Sequence, residues 1–478
     1  MDRSSKKLVA IIRNLRAELR QVRGEKQQLQ AENAALRRKV AALEKRIADL
    51  LAELEQAQRR GKRQAAPFSK GEPQKDPLRR GRKSGACYGK KAHRPPPAPA
   101  QIKEFYEAPL PENCPHCGGK VDEQKVVPQY QVEIPRHPIY RQFNVHVGSC
   151  QRCGCRVQGT HPLQTSDALG AAASQLGPDA QAAMAFLKKY GGLSDGKLAQ
   201  VFQVLFGISI TRGGVSQVVQ RVGRRCWPVY QQQIQPAVRR SPSVTADETG
   251  WKIGGRSAWL HVLVGAKATC YCIDRRRAAE VAAAVLGWNY AGVLIHDGLA
   301  SYDRFQAARH QQCVRHVLAR SQAMLAVAVG GAVHFPRQVI ALFQESLRLR
   351  DEHQAGRLSA DELADAALAL ACQLEAMTQR PKQNPANERL SKHLRKHIWE
   401  WFWFLLEPGI DATNWRAEQA LRLGVINRKV WGGNRDESGR LSQQILMSVV
   451  ATCSQQKVCP IDYMSRSLRT WSPQLIPP

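Results

Sequence analysis

Three acidic side chains and two cysteine pairs hold most of the chemistry available to this sequence. Asp247 closes SPSVTADETG, which reads as a buried strand, and Asp297 closes the apolar run within GVLIHDGLASY. Two carboxylates at the C-terminal ends of separate strands repel each other unless a cation neutralises them. Mg²⁺ suits such a pair because it takes a few carboxylate oxygens and keeps waters for phosphate. A third acid, Glu418, falls in DATNWRAEQALRLGVINRK at 411–429, a helix whose cap is expected at Asp411 or Thr413. Asn414 at i−4 and Arg422 at i+4 share its face. Taken singly, a strand-end Asp is an ordinary turn former and a helical Glu an ordinary solvated residue. The order strand-Asp, strand-Asp, helix-Glu in a basic chain favours a metal-binding set.

The cysteines suggest a second metal. Cys114-Pro-His-Cys117-Gly-Gly and Cys150-Gln-Arg-Cys153 each deliver two thiolates from one tight turn, and four soft ligands make tetrahedral zinc. The 32-residue insert carries YQVEI and FNVHV, whose alternation predicts two strands of a zinc ribbon. Cys155 could replace Cys153, and two unrelated reduced pairs are the alternative. A four-thiolate site leaves no open position, so such a zinc is structural.

Other elements must carry these residues. Ser194 is placed to cap a helix through Leu205, ended by Gly207, and Thr211 to cap a second helix bearing Arg212, Ser216, Gln217, Gln220 and Arg221. The pair resembles a helix-turn-helix that presents polar side chains to a major groove; a hairpin that only packs on its neighbours has the same pattern. SAWLHVLVG and ATCYCI read as further strands and AAEVAAAVLGW as a helix. At the N-terminus Leu8, Leu15, Val22, Leu29, Leu36, Leu43 and Leu50 fall at heptad d, with Ile12, Leu19, Lys26, Asn33, Val40, Ile47 and Leu54 at a. Leu at d with one Asn at a favours a parallel two-stranded coiled coil; a charged helix alone, or one folded back on its own body, would use the same residues. Residues 59–94 hold thirteen Lys/Arg and two acids, fitting a solvated tether, a phosphate-contacting arm, or both.

Composition narrows the partners. The 478 residues include 71 Lys+Arg and 40 Asp+Glu, a net charge of +31, too basic for an ordinary metabolic enzyme and suited to nucleic acid. Hydrophobic content of 43% excludes a wholly disordered chain. No apolar run approaches the roughly 20 residues of a membrane span, and no signal-peptide pattern opens the chain. With 13 cysteines, some in CxxC pairs, the expected setting is the reducing cytoplasm, associated with the nucleoid.

TADETG, IHDGLASY, QCVRHVLAR and TNWRAEQALR…NRK resemble the signature blocks of insertion sequence family 66 transposases. The resemblance implies a ribonuclease-H-like core with an Asp-Asp-Glu triad at Asp247, Asp297 and Glu418. Cys313 and His316 match the family's Cys-x-x-His block. Two departures stand out: Asn414-Trp415 replaces two consecutive Asn residues, and Asn427-Arg428-Lys429-Val430 replaces Gly-Arg-Lys-Asn. The expected fold is α/β and multidomain: a coiled coil over 1–57, a basic linker over 58–100, a zinc ribbon over 101–165 and a helix-turn-helix-like module over 166–235. The core follows over 236–335, interrupted by a helical insertion over 336–408 that includes the aromatic run HIWEWFWFLL, and resumes over 409–478.

The implied activity is cleavage of element ends and transfer of the freed 3′-hydroxyl to target DNA by two-metal phosphoryl transfer, using two Mg²⁺ at the triad and structural Zn²⁺. Arg212, Gln217, Arg221, Arg422, Arg428 and Lys429 are the expected DNA contacts. The partners would be terminal inverted repeats and target DNA, a second copy or more through the zipper, and accessory proteins of the same element. A catalytically inactive zinc-containing DNA-binding regulator is the rival reading, and a nuclease that cuts without joining is a third.

Overall fold

The computed structural model describes residues 18, 21–30, 32–37, 40 and 43, then 96–469 apart from 114, 121, 124, 133, 136, 167 and 170–174. The chain divides into two units, Met1–Gln131 and Val132–Pro478. In the first, residues 21–30 and 32–37 are helical, with i,i+4 bonds such as Gln21 Nε2 to Glu25 Oε1 at 3.0 Å. Val22, Leu29, Leu36 and Leu43 of the d row are exposed, as is Val40 at a. Lys26 and Asn33 at a are exposed too, and the remaining heptad positions and the whole 59–94 linker stretch lie outside the described residues. Cys117 ends a turn at 115–117, Gly118 follows with φ +73°, and Asn113 bridges Lys120; Cys114 is outside the described residues.

The second unit is α/β, with one mixed sheet and many helices. It opens with β1 (Val147–Ser149) paired antiparallel to β2 (Arg156–Gln158). This corrects the expected strands: the described residues of YQVEI form none, FNVHV contributes only Val147, and the hairpin brackets the second cysteine pair instead.

Three helices follow: α1 (Pro178–Lys189), α2 (Asp195–Phe206) and α3 (Arg212–Arg225). The expected punctuation holds. Ser194 accepts from Lys197 N, Gly207 ends α2 at φ +68°, and Thr211 accepts from Gly214 N. On α3, Val215, Val218, Val219 and Val222 are buried at helical spacing, the i, i+3, i+4, i+7 stripe of an amphipathic helix.

The chain then enters a five-stranded sheet: β3 (Ser243–Ile253), β4 (Arg256–Val264), β5 (Thr269–Asp274), β6 (Val293–His296) and β7 (Arg309–Gln312), in the order β5-β4-β3-β6-β7. β3 to β5 form an antiparallel meander; β6, reached through α4 (Ala279–Leu286), pairs parallel to β3, and β7 pairs parallel to β6. Four helices come next: α5 (Val314–Val327), α6 (His334–Gln354), α7 (Ala360–Gln379) and α8 (Pro385–Lys396). They have their own core, where Phe335, Val339, Phe343 and Leu374 meet Trp401, Phe402 and Phe404 of the aromatic run; Trp399 stays exposed.

The chain returns to the sheet with α9 (Trp415–Trp431), α10 (Glu437–Gln455) and α11 (Pro460–Arg469). Ala417 and Leu421 of α9 pack on Leu260, Val262 and Tyr271. A Cβ at Gly424 would come within 2.3 Å of Leu260 Cδ2, so glycine permits this close approach of helix to sheet. Among the described residues no helix is long and apolar enough to cross a membrane.

Candidate active site

Sheet register brings the first two acids together. The parallel β3–β6 pairing runs Ser243↔Val293, Val244↔Leu294 and Thr245↔Ile295. Two further steps of that register set Asp247 beside Asp297. Asp247 therefore does not end its strand, as expected from sequence; it sits mid-strand, where pairing with β6 stops and pairing with β4 continues to Ile253. The apolar pattern shows where burial on the β6 side ends and is silent on the other edge.

Glu248 joins them: one ligating oxygen from each of Asp247, Glu248 and Asp297 lies within 4.8 Å of the others. Sequence reading missed Glu248, though TADETG contains it. Its side chain is fully buried. Oε1 accepts from Arg277 Nε (3.0 Å) and Nη2 (2.8 Å), and Oε2 accepts from Tyr302 OH (3.0 Å). The Arg277 guanidinium also lies over Trp259, 4.6 Å from the ring centre. Glu248 thus has its charge compensated and links TADETG to IHDGLASY through Tyr302.

Asp247 and Asp297 form no ion pair among the described residues. Burial pushes the Asp247 carboxyl up to about 7; the charges of Asp297, Glu248 and Glu418 add to the rise, while the Glu248 amide donating to Oδ1 (2.8 Å) opposes it. Asp297 Oδ1 accepts from Leu299 N at 3.0 Å, and Gly298, at φ +90°, has Gln312 Oε1 2.9 Å from where a Cβ would stand.

Glu418 lies on the first turn of α9, whose cap is Asn414, after the expected Asp411 or Thr413. Its Oε2 accepts from Arg315 Nη1 at 2.5 Å, and Oε1 is 3.9 Å from His316 Nε2. Cys313, His316 and Glu418 form a second group within 4.8 Å, and the Cys313 thiol accepts from Asn414 N at 3.4 Å. The Cys-x-x-His block thus surrounds the third acid. The buried side-chain amide of Asn414 has no hydrogen-bond partner among the described residues.

A third group, His296, His310 and Glu400, is saturated by its own hydrogen bonds. His310 Nε2 donates to Phe305 O (3.0 Å), which leaves its Nδ1 to accept from His296 Nε2 (3.0 Å); His296 Nδ1 then accepts from Gly298 N (3.1 Å). Glu400 Oε2 accepts from Gln312 (2.6 Å) and bonds His397 Nδ1 (2.9 Å). Burial holds His296 neutral, its pKa lowered to about 3. This cluster supports the Asp297 loop, and its imidazoles have no lone pair to offer a metal.

The other expected residues scatter. Gln217, Arg221, Arg422 and Lys429 are exposed. Arg212 also turns over Gly196 of α2, its Nε 3.1 Å from where a Cβ would stand. Arg428 is half-buried and bonds Gly250 O and Thr249 Oγ1 of β3, so it ties helix to sheet. At the second cysteine pair, Cys150 N donates to Cys155 O (2.9 Å) and Gly154 N to Cys150 O (2.8 Å). The Cys155 amide, then the neighbouring thiols, draw the Cys153 thiol below its ordinary value, which favours the thiolate.

The family model described as the transposase IS66 family matches residues 173–441, which includes all three acids and the helical insertion. No curated protein matches the chain.

Proposed function

The chain belongs to the transposase IS66 family, and on that premise we propose that Asp247, Asp297 and Glu418 are the acids of a DNA-cleaving and strand-transferring centre. The strand order, three antiparallel strands followed by two parallel ones on the far side of the first, supports reading the core as ribonuclease-H-like. One observation carries the proposal: Asp247 and Asp297 stand side by side at the end of the β3–β6 pairing without an ion-pair partner among the described residues, and Asp247 is held up to about 7. A hard divalent cation fits that donor set, since carboxylate oxygens alone would line it. Asp247 and Asp297 would hold two Mg²⁺, with Glu418 on one of them. When bound, such ions stabilise charge on the attacking and leaving oxygens of a phosphodiester, so no protein nucleophile is required.

The remaining residues set geometry. Arg277 neutralises Glu248, and the Tyr302 hydroxyl, donating to it, fixes β3 against the Asp297 loop. Arg315 holds Glu418 at the start of α9. The exposed Lys429 and Arg422 remain our candidates for holding DNA backbone, with Gln217 and Arg221 on α3, whereas Arg428 serves the fold. From CxxC spacing we assign structural zinc to Cys114, Cys117, Cys150 and Cys153, and from the heptad pattern with its exposed Val22, Leu29, Leu36 and Leu43 we assign self-association to the N-terminal helix.

The test is Mg²⁺-dependent cleavage and joining of terminal-repeat DNA. Wild type should release a 3′-hydroxyl end and join it to target, and Asp297→Ala should do neither. Asp297→Ala retaining full cleavage would sink the assignment. Wild type that binds the DNA and leaves it uncut would make the protein a DNA-binding regulator, and cutting without joining would make it a nuclease.

A further inference from the structure

The C-terminal end of α9, remote from the acids, opens onto a cleft of about 790 Å³ between that end, the start of α10, and helices α1 to α3. Lys188 and Lys189 reach it from α1, Lys197 from α2, Arg212 from α3, and Arg435 from the α9–α10 turn. The carboxylates on its wall are already engaged: Asp195 Oδ1 is 2.8 Å from Lys188 Nζ, and Asp436 Oδ1 accepts from Gly439 N at 2.6 Å. The N-terminal turns of α2, α3 and α10 all line the cleft, and their dipoles add positive potential there.

Lys189 is the unusual member. It is only 3% exposed, and its ammonium, with three protons to donate, bonds Gln443 Oε1 at 2.6 Å. Burial, with Lys188 adding, lowers its pKa to about 7, and Asp195 partly offsets this. Among the described residues no carboxylate pairs with it directly, Asp195 being paired with Lys188.

We propose that this cleft grips a DNA backbone phosphate on the same duplex whose other phosphate lies at the acids. At a rise of about 1.5 Å per residue, Trp431 is about 20 Å along α9 from Glu418. That is about six steps of 3.4 Å along one DNA strand, so one duplex can reach both ends of the helix. The polar side chains of α3 therefore divide between two tasks: Arg212 serves the cleft, while Gln217 and Arg221 are exposed further along the same helix. The inference rests on the proposed action on DNA and adds where the backbone is held.

The experiment measures binding of the full chain to a short labelled duplex of arbitrary sequence across a salt series. Lys197→Gln, Arg212→Gln and Arg435→Gln are combined; all three residues are exposed. The comparison variant combines Arg337→Gln, Arg357→Gln and Arg380→Gln, exposed cations of the helical insertion that lose the same charge. Thermal unfolding confirms that both variants fold. The cleft variant should weaken binding and reduce the slope of log affinity against log salt by about 0.9 for each phosphate no longer neutralised, while the insertion variant keeps the wild-type slope. Equal slopes for wild type and the cleft variant, or an equal loss in both variants, would overturn the inference and leave the DNA reading standing. Wild type that binds no duplex at all would overturn both.

Discussion

The two ends of α9 have opposite electrostatic faults. At the start, the charge of Glu418 adds to those of the carboxylates around Asp247, which is held up to about 7. At the far end, Lys189 is held down to about 7 among other cations. In both places burial is the largest cause, and like charges add to it. A folded chain that only had to be stable would pair such groups with each other or replace them, since burying an uncompensated charge costs several kcal/mol. The His296–His310–Glu400 group shows the alternative: residues just as capable of ligation, each satisfied by protein hydrogen bonds. Proximity of ligating side chains therefore does not identify a site; an unmet charge does. The acidic end calls for a cation and the basic end for an anion, the two parts of the metal-dependent reaction on DNA proposed above.

The sharpest way to break this contrast is at the acidic end. Asp297→Asn keeps the side-chain oxygen that accepts from Leu299 N and removes the charge. If the acids hold the metals, cleavage should fall by about 10³-fold or more, corresponding to about 4 kcal/mol of transition-state stabilisation. Single-turnover cleavage of terminal-repeat DNA measures it, and a loss below about tenfold would remove Asp297 from the metal-binding set.

Glu248 tests the other half of the comparison, a carboxylate in the same group whose charge is already compensated. Arg277→Met should destabilise the fold by about 3–5 kcal/mol, because it leaves that buried carboxylate without its cation. Adding Glu248→Gln should recover much of the loss, since Tyr302 OH can still donate to the amide oxygen. Urea unfolding of the single and double variants gives the coupling. Additive effects would mean that the pair is not a unit.

At the basic end the sign of a pH effect decides. Lys189 has a folded pKa of about 7, against about 10.4 for an unfolded lysine. Between those values the unfolded chain binds more protons, so stability rises with pH, and this contribution is lost again as pH falls through 7. Wild type should gain about 2 kcal/mol relative to Lys189→Met between about pH 7 and pH 9. Parallel stability curves would show that Lys189 is not a strained cation.

Fold and site are legible in the sequence wherever local chemistry sets the outcome. Ser194, Gly207 and Thr211 punctuate α2 and α3 as expected, because capping and left-handed termination depend on residues a few positions apart. The third acid lies on its expected helix, with the cap shifted by one to three positions. The limits come from pairing. Asp247 reads as a strand end because the apolar pattern records burial on one side, while β4 continues beside β3 through Ile253. Glu248 escapes notice because its partners, Arg277 and Tyr302, are 29 and 54 residues away and only sheet topology unites them. The basic cleft is illegible for the same reason: its cations come from α1, α2, α3 and the α9–α10 turn.

The smallest effect belongs to the saturated histidine pair, and it separates support from ligation. His296 Nδ1 accepts from Gly298 N, directly after Asp297. His296→Phe keeps an aromatic body near Tyr302, whose ring centre is 5.0 Å from the imidazole, and deletes that acceptor. A neutral hydrogen bond is worth about 1 kcal/mol net, and losing a partner behind a metal ligand costs about 10-fold or somewhat more in metal affinity. The apparent Mg²⁺ requirement for cleavage should therefore rise about tenfold, with the rate largely restored at saturating Mg²⁺. A metal-ligating His296 would behave differently, since excess Mg²⁺ cannot replace a lost ligand and the rate would stay low at every concentration. Restoration therefore means that the histidines hold the loop while the aspartates hold the ion.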